Sequence, residues 1–490
     1  QAGVNNYFQD FGSGRNRWGD YSATTVDPTD PQIFWTTQEW VSALNIWSTR
    51  ASEIIIPASG EVRWANNSTG SFTTGTNWIG GATPGAGSHA IFSRPSTPGL
   101  YNVNMPLNGS VTNDRMSVRQ GIVTFNMNGC TWTLTNAARA ATPSITIAEF
   151  GGTPTVSITG NGSIISANTA ISLLANGSIN LSAATVNFNS GTWLNSANFA
   201  LGGSDTVKGG AATFTMGSTT TLNVGGTLKV WNSATFSYNG ASLSVGGNLD
   251  VTGGTFKENV NGSRLLQVGN VLVSAGGIVD LNDNDMKATS SSYSAITALI
   301  SAARNAGAWD QSGITSTAAK NNPNGITTLG TLVGQDYLDN SPNGPLFDGQ
   351  PVAATDVVVK YTYYGDSNLD GDITLDDYAF IDGGFLLSLT GWMNGDYDYS
   401  GGVATLDDYS LIDGAFLLKS GVLRHAITWL ENGGIGEIDT SIPALGKVVD
   451  HFDQFGQDYA YALFAAVPEP TGAGVALLGA AGLLRRRRSA

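Results

Sequence analysis

The chain has 490 residues, of which 63 are glycine, nearly twice ordinary usage, and only 12% are charged. Its 23 basic and 38 acidic residues leave a net charge of −15. That balance excludes a simple nucleic-acid binder, and the 41% hydrophobic content excludes a charged disordered chain. The Ala/Glu/Lys/Leu/Arg richness of a coiled coil or helical bundle is missing. Gly, Ser, Thr and Asn beside alternating Val, Ile and Leu predict a mainly β chain of short strands and tight turns. A single cysteine, Cys130, excludes an internal disulfide framework and is expected to be a small buried hydrophobe. The sequence starts at Gln1 without a signal peptide and is read as a mature or truncated chain.

Residues 1–57 carry four of the twelve tryptophans: Trp18, Trp35, Trp40 and Trp47. Two Asp-Pro pairs, at Asp27 and Asp30, predict turns, so loops between short strands are expected here, with the aromatics packed in a core. A sugar-stacking platform is the sharper alternative. The segment reads as the tail of a secreted β-domain.

Residues 58–289 hold an internal repeat. Thr221–Val230 recurs as Ser242–Val251 and more loosely as Leu265–Val273, at offsets of 21 and 23 residues. Each copy is an alternating strand, a glycine turn and a second alternating strand. A short period of this kind predicts a solenoid, because one coil cannot bury its apolar face alone. Stacking would line Leu222, Leu243 and Leu266 in one row and Val224, Val245 and Val268 in another. About ten such coils at ~4.8 Å would give a rod roughly 45–50 Å long. The expected fold is a right-handed parallel β-solenoid, with an antiparallel sandwich as the alternative.

The pattern breaks over residues 290–360. Ile296, Leu299, Ile300 and Ala303 keep helical spacing and predict a helix covering the open end of the solenoid. A strand is expected over Val357–Tyr364.

Residues 361–420 are the most informative. Eleven acids and no Lys or Arg lie between 366 and 413, a density that repels itself unless a cation is bound. Asp366, Asn368, Asp370, Asp372, Thr374 and Asp377 place oxygen atoms at positions 1, 3, 5, 7, 9 and 12 of an EF-hand-type calcium loop, the residue at 7 through its backbone carbonyl. Gly371 takes position 6, and Ile373 is expected to point into the core. A second copy begins at Asp396, with Asp398 and Ser400 as further ligands. It is one residue longer: counting from Asp396 puts Asp407 at position 12, whereas alignment on the following helix puts Asp408 there. Ser400 removes a charge, so weaker calcium binding, or none, is expected at this copy. Two loop–helix units without a leading helix resemble a type I dockerin. That resemblance implies paired Ca2+ sites, a small antiparallel α-helical pair and docking to a cohesin domain.

Residues 421–464 include an amphipathic helix predicted over Ser441–Phe455, capped by Ser441, with His451 at its surface or rim. Residues 465–490 carry Val467, Pro468, Glu469 and Pro470, then an apolar stretch, then Arg485, Arg486, Arg487 and Arg488. Fourteen small and apolar residues are short for a full membrane span, which needs about twenty. The ordered trio resembles the PEP-CTERM sorting signal. It implies export to the extracellular space or cell surface, transient inner-membrane anchoring, and recognition by an exosortase-type membrane protease or transpeptidase. With the β-repeats and the dockerin-like pair, the chain resembles PEP-CTERM proteins carrying autotransporter-associated repeats.

No histidine lies between residues 90 and 424, which argues against a Ser-His-Asp triad in the solenoid. The acids Glu149, Asp205, Asp250, Glu258 and Asp280, and Lys208, Lys229, Lys257 and Arg264, are scattered rather than paired on successive coils. The expectation is therefore a secreted structural or adhesive protein, not an enzyme. The alternatives are a polysaccharide-binding or polysaccharide-degrading β-helix, and a dockerin-bearing subunit of a larger complex.

Overall fold

The structure is a computed structural model. It describes residues 4–467 except 9–11, 13, 15–21, 95–100 and a set of short stretches between 136 and 220. Trp18, Pro468, Glu469, Pro470 and Arg485 to Arg488 lie outside the described residues. The chain is mainly β, with a parallel β-solenoid of about six turns and a few helices in the C-terminal region. It divides into two compact units. One is Gln1–Gly226 with Trp231–Phe236, and the other is Thr227–Val230 with Ser237–Ala490.

In the first unit the N-terminal segment is not a set of loops. Strands β1 (Ala23–Val26), β2 (Ile33–Ala43) and β3 (Ile46–Ile55) form an antiparallel sheet. Strand β2 runs eleven residues because aromatic and β-branched residues persist from Ile33 to Val41. The reversal is tight, with Asn45 at φ 56° in the left-handed region that Asn tolerates. Trp35 and Trp47 are exposed and do not pack in a core as expected. The tryptophans that do are Trp64, Trp78 and Trp132, in the coils beyond. Trp78 meets Trp64 and Phe72 edge-on at 5.1 and 5.0 Å, and its indole N–H donates to the Phe72 carbonyl at 2.7 Å. Cys130 is free and fully buried, as expected, and burial pushes its thiol up.

Parallel register runs Val111, Trp132, Ile164, Trp193, Leu222 from coil to coil. On another sheet it runs Ile122, Thr155, Thr185, Thr213, so successive coils advance 33, 30 and 28 residues. The 21-residue period does not hold here, which is why about six turns form and not ten. Longer connections between strands consume the extra chain.

Also in this unit, a polar network lies on strands Glu61–Arg63, His89–Ser93 and Arg115–Gln120. Arg63 pairs with Asp30 at 2.7 Å, and Arg119 with Glu61 at 2.7 Å and Glu149 at 2.8 Å. His89 Nε2 lies 2.7 Å from Ser117 Oγ, with Glu61 4.0 Å from Nδ1. The sequence argument against a triad passed over this histidine, which sits one residue before the stretch it considered. Here Ser117 is buried and Glu61 is held by Arg119, an arrangement that ties coils together.

In the second unit Val245 pairs with Val268 and Val268 with Ala288, so the predicted valine row forms and advances about 20–23 residues per coil. The helix α1 (Tyr293–Arg304) has the predicted register, with Ile296, Ile300 and Ala303 buried and Ser292 accepting from the Ala295 N–H. It is inserted within a coil and does not end the stack, because Gly313–Thr315 returns to pair with Ile278–Asp280. Antiparallel strands Thr327–Val333 and Val357–Tyr363 follow, the latter pairing with Asp285–Ala288.

Glu258 in this unit is buried with both carboxylate oxygens lacking a hydrogen-bond partner. Burial raises its carboxyl well above the ordinary 4.5, against the lowering effect of Arg264. The folded chain thus holds a proton that the unfolded chain releases, and stability falls as pH rises above about 4.5 toward the folded value. Glu258→Gln is expected to stabilise by about 1–3 kcal/mol at pH 8 and to change nothing at pH 4. Urea unfolding at both pH values checks this; equal stabilities at pH 8 refute it.

Candidate metal centre

Helices α2 (Leu375–Leu387) and α3 (Leu406–Lys419) each follow an acidic loop. Each begins with a capping box, Thr374 with Asp377 and Thr405 with Asp408. The two loops superpose role for role. Asp377 accepts the N–H groups of Ser367 at 2.9 Å and Thr374 at 2.8 Å. Asp408 accepts those of Tyr397 at 2.9 Å and Thr405 at 2.8 Å. Asp366 accepts from the Gly371 N–H at 2.9 Å, and Asp396 from Gly401 at 3.2 Å. Leu369 and Tyr399 occupy the same fourth position, at φ 58° and 60°, a conformation bulky residues rarely adopt. Sequence reading missed these two. Their burial holds the strained turn in place.

This equivalence settles the alignment that the sequence left open. Asp408 is the counterpart of Asp377, while Asp407 is exposed on the first helical turn, outside the cluster. Ser400 is exposed and donates its N–H to Asp398 at 2.8 Å.

Of the two loops, the second brings its carboxylates together. Asp396, Asp398 and Asp408 place oxygens within 4.8 Å of one another. In the first loop Asp366 and Asp377 are fully buried and Asn368 nearly so, Asp370 is half-buried, and Ile373 points inward as expected. Asp372 is exposed and ion-paired to Lys419, whose hydrogen bond lowers its carboxyl below the usual value. Thr374 is committed to Asp377 through both its N–H and its hydroxyl.

Burial pushes the carboxyls of Asp366 up to about 7 and of Asp377 and Asp408 up to about 6, and raises Asp396. Among the described residues no basic side chain is ion-paired with Asp396, Asp398 or Asp408. An all-oxygen donor set with uncompensated charge fits a hard divalent cation. Asp396 also lines a cavity of about 360 Å³ with Tyr293, Thr297, Ser301, Thr390 and Tyr399.

The helices that follow are α4 (Leu423–Glu431), α5 (Pro443–Phe455) and α6 (Gln457–Ala466). Helix α5 forms as predicted but with Ile442 at its N-cap, because the Ser441 hydroxyl donates to Asp439 at 2.5 Å. His451 is not at the surface: it is 3% exposed, with Nδ1 2.6 Å from Asp413. Val467, the described end of the proposed sorting motif, packs in the core of these helices. No described helix is long and apolar enough to cross a membrane.

No family model matches this chain, and no curated protein or solved structure does either.

Proposed function

We propose that this chain is an exported extracellular or cell-surface structural or adhesive protein. In this reading the β-solenoid is the spacer or binding face, a calcium-stapled pair of loops follows it, and a C-terminal tail sorts the protein. The observation that carries the calcium part is the convergence of Asp396, Asp398 and Asp408 beside its internal duplicate around Asp366. Asp366, Asn368, Asp370 and Asp377 would hold one ion, and Asp396, Asp398 and Asp408 the other. Bound calcium would supply the positive charge that lets these buried carboxylates ionise. Calorimetric titration of the whole chain with calcium is the test. Two sites are expected, one lost in Asp370→Ala and the other in Asp398→Ala; no heat beyond dilution refutes the proposal.

The export part rests on the ordered trio of Val467–Pro470, the apolar stretch and Arg485–Arg488. In a cell with an exosortase, mass spectrometry of the exported protein is expected to find the chain ending near Pro470. Recovery of exported protein still carrying Arg485 to Arg488 would oppose that assignment.

A further inference from the structure

The duplication extends beyond the loops into the helices, and the two copies differ in what covers them. Helix α2 reads Leu-Asp-Asp-Tyr-Ala-Phe-Ile-Asp-Gly-Gly-Phe-Leu-Leu and α3 reads Leu-Asp-Asp-Tyr-Ser-Leu-Ile-Asp-Gly-Ala-Phe-Leu-Leu. On α3, Ser410, Gly414, Leu417 and Leu418 follow helical spacing and form one stripe. This stripe is filled. Ser410, Gly414 and Leu417 are buried, and Leu417 joins a core with Ala460, Leu463 and Val467 of α6 and the residue after it. Gly414 is what lets α6 approach. A Cβ added there would meet Val467 Cγ1 at 2.8 Å.

The equivalent stripe on α2 is Ala379, Gly383, Leu386 and Leu387. A Cβ added at Gly383 would meet nothing within 4 Å. Leu386 is 80% exposed and Leu387 67%. A glycine inside a helix costs about 1 kcal/mol relative to alanine, and at Gly383 no contact within this chain explains it. Helix α2 thus carries, uncovered, the same groove that α3 fills with α6. Its charged residues are Asp376, Asp377 and Asp382, with no basic residue on the helix.

We propose that the Ala379–Gly383–Leu386–Leu387 stripe of α2 is a docking groove for an amphipathic helix of a partner protein, seated on α2 as α6 is seated on α3. The partner helix presents small and apolar residues at the spacing of Ala460, Leu463 and Val467. It carries Lys or Arg at its flanks, to suit the acidic helix it meets. This groove requires no bound cation, so it stands apart from the calcium proposal.

The probe is a fluorescently labelled peptide of residues 456–467 with two lysines added at each end, titrated with the whole chain by anisotropy in calcium and in chelator. Saturable binding is expected, weakened at least tenfold by Gly383→Leu and by Leu386→Asp. Both positions are open, so both variants are expected to melt with the parent chain. Absence of binding overturns the proposal. So does undiminished binding to both variants, which would mean that the peptide displaces α6 from α3. Sedimentation of the chain alone is the last arm: a dimer dissolved by Leu386→Asp would assign the groove to a second copy, and would overturn the assignment to a different partner.

Discussion

In millimolar calcium the unit carrying Asp366 to Asp413 is expected to melt about 5–15 °C higher than in chelator. A ligand that binds only the folded state at 100 to 1,000 times its Kd stabilises by about 2.7–4.1 kcal/mol. In a unit of this size each kcal/mol moves Tm by about 2–4 °C. Asp366→Ala with Asp370→Ala should remove part of the shift, and adding Asp398→Ala should remove the rest. The informative quantity is the difference between calcium and chelator within each variant. Asp366 also accepts the Gly371 and Asp370 N–H groups, so its loss lowers stability in both buffers. The pH dependence has a definite sign. The carboxyls of Asp366, Asp377 and Asp408 are raised from 3.8 to about 7, 6 and 6. Their contribution in chelator is fully present below 3.8 and is lost as pH rises through 6 to 7. A bound cation holds the same groups ionised, so the gap between calcium and chelator should widen from pH 5 to pH 8. Identical melting in the two buffers at pH 8 refutes the calcium assignment.

The repeat was legible in the sequence where its coils are shortest. Between Thr221 and Val273 a glycine turn joins two alternating strands, and Val245 and Val268 meet as their spacing predicts. Earlier coils hid their period, because connections of unequal length separate Ile122 from Thr155 and Thr155 from Thr185. The acidic loops were legible because ligand spacing is local, and the helical caps then decided between Asp407 and Asp408. Trp35 and Trp47 misled, since an aromatic in a hairpin strand faces solvent or core according to what covers the sheet, and no local pattern records that. His451 misled for a related reason. Its partner Asp413 lies 38 residues away, on a different helix. A signal was present in the repeated Asp-Tyr and Ile-Asp-Gly of α2 and α3. In the fold these pair reciprocally, Tyr378 with Asp413 at 2.5 Å and Tyr409 with Asp382 at 2.9 Å.

That reciprocity sets up a comparison inside one molecule. Asp413 is buried and accepts three hydrogen bonds: from the Tyr378 hydroxyl at 2.5 Å, the Tyr459 hydroxyl at 2.6 Å and His451 Nδ1 at 2.6 Å. Burial, reinforced by the Asp413 charge, raises both phenols well above their ordinary range, so both keep the proton they donate. One carboxylate therefore ties α2, α5 and α6 to α3. Its repeat-related twin, Asp382, has a side chain 48% exposed and accepts only from Tyr409 and, at 3.5 Å, from Lys447. Asp413→Ala strands three buried donors and is expected to cost about 3–5 kcal/mol. Asp382→Ala is expected to cost under about 1 kcal/mol, as exposed pairs do. Asp413→Asn should fall between them, because its amide nitrogen faces donors where a carboxylate oxygen accepted. A double-mutant cycle with His451→Phe separates the pair from the rest of the network: Asp413→Ala should cost less once the imidazole donor is gone. Chemical unfolding of the four variants measures each value. Equal losses at Asp413 and Asp382 would show that the helices are held by apolar packing, with the carboxylate a bystander.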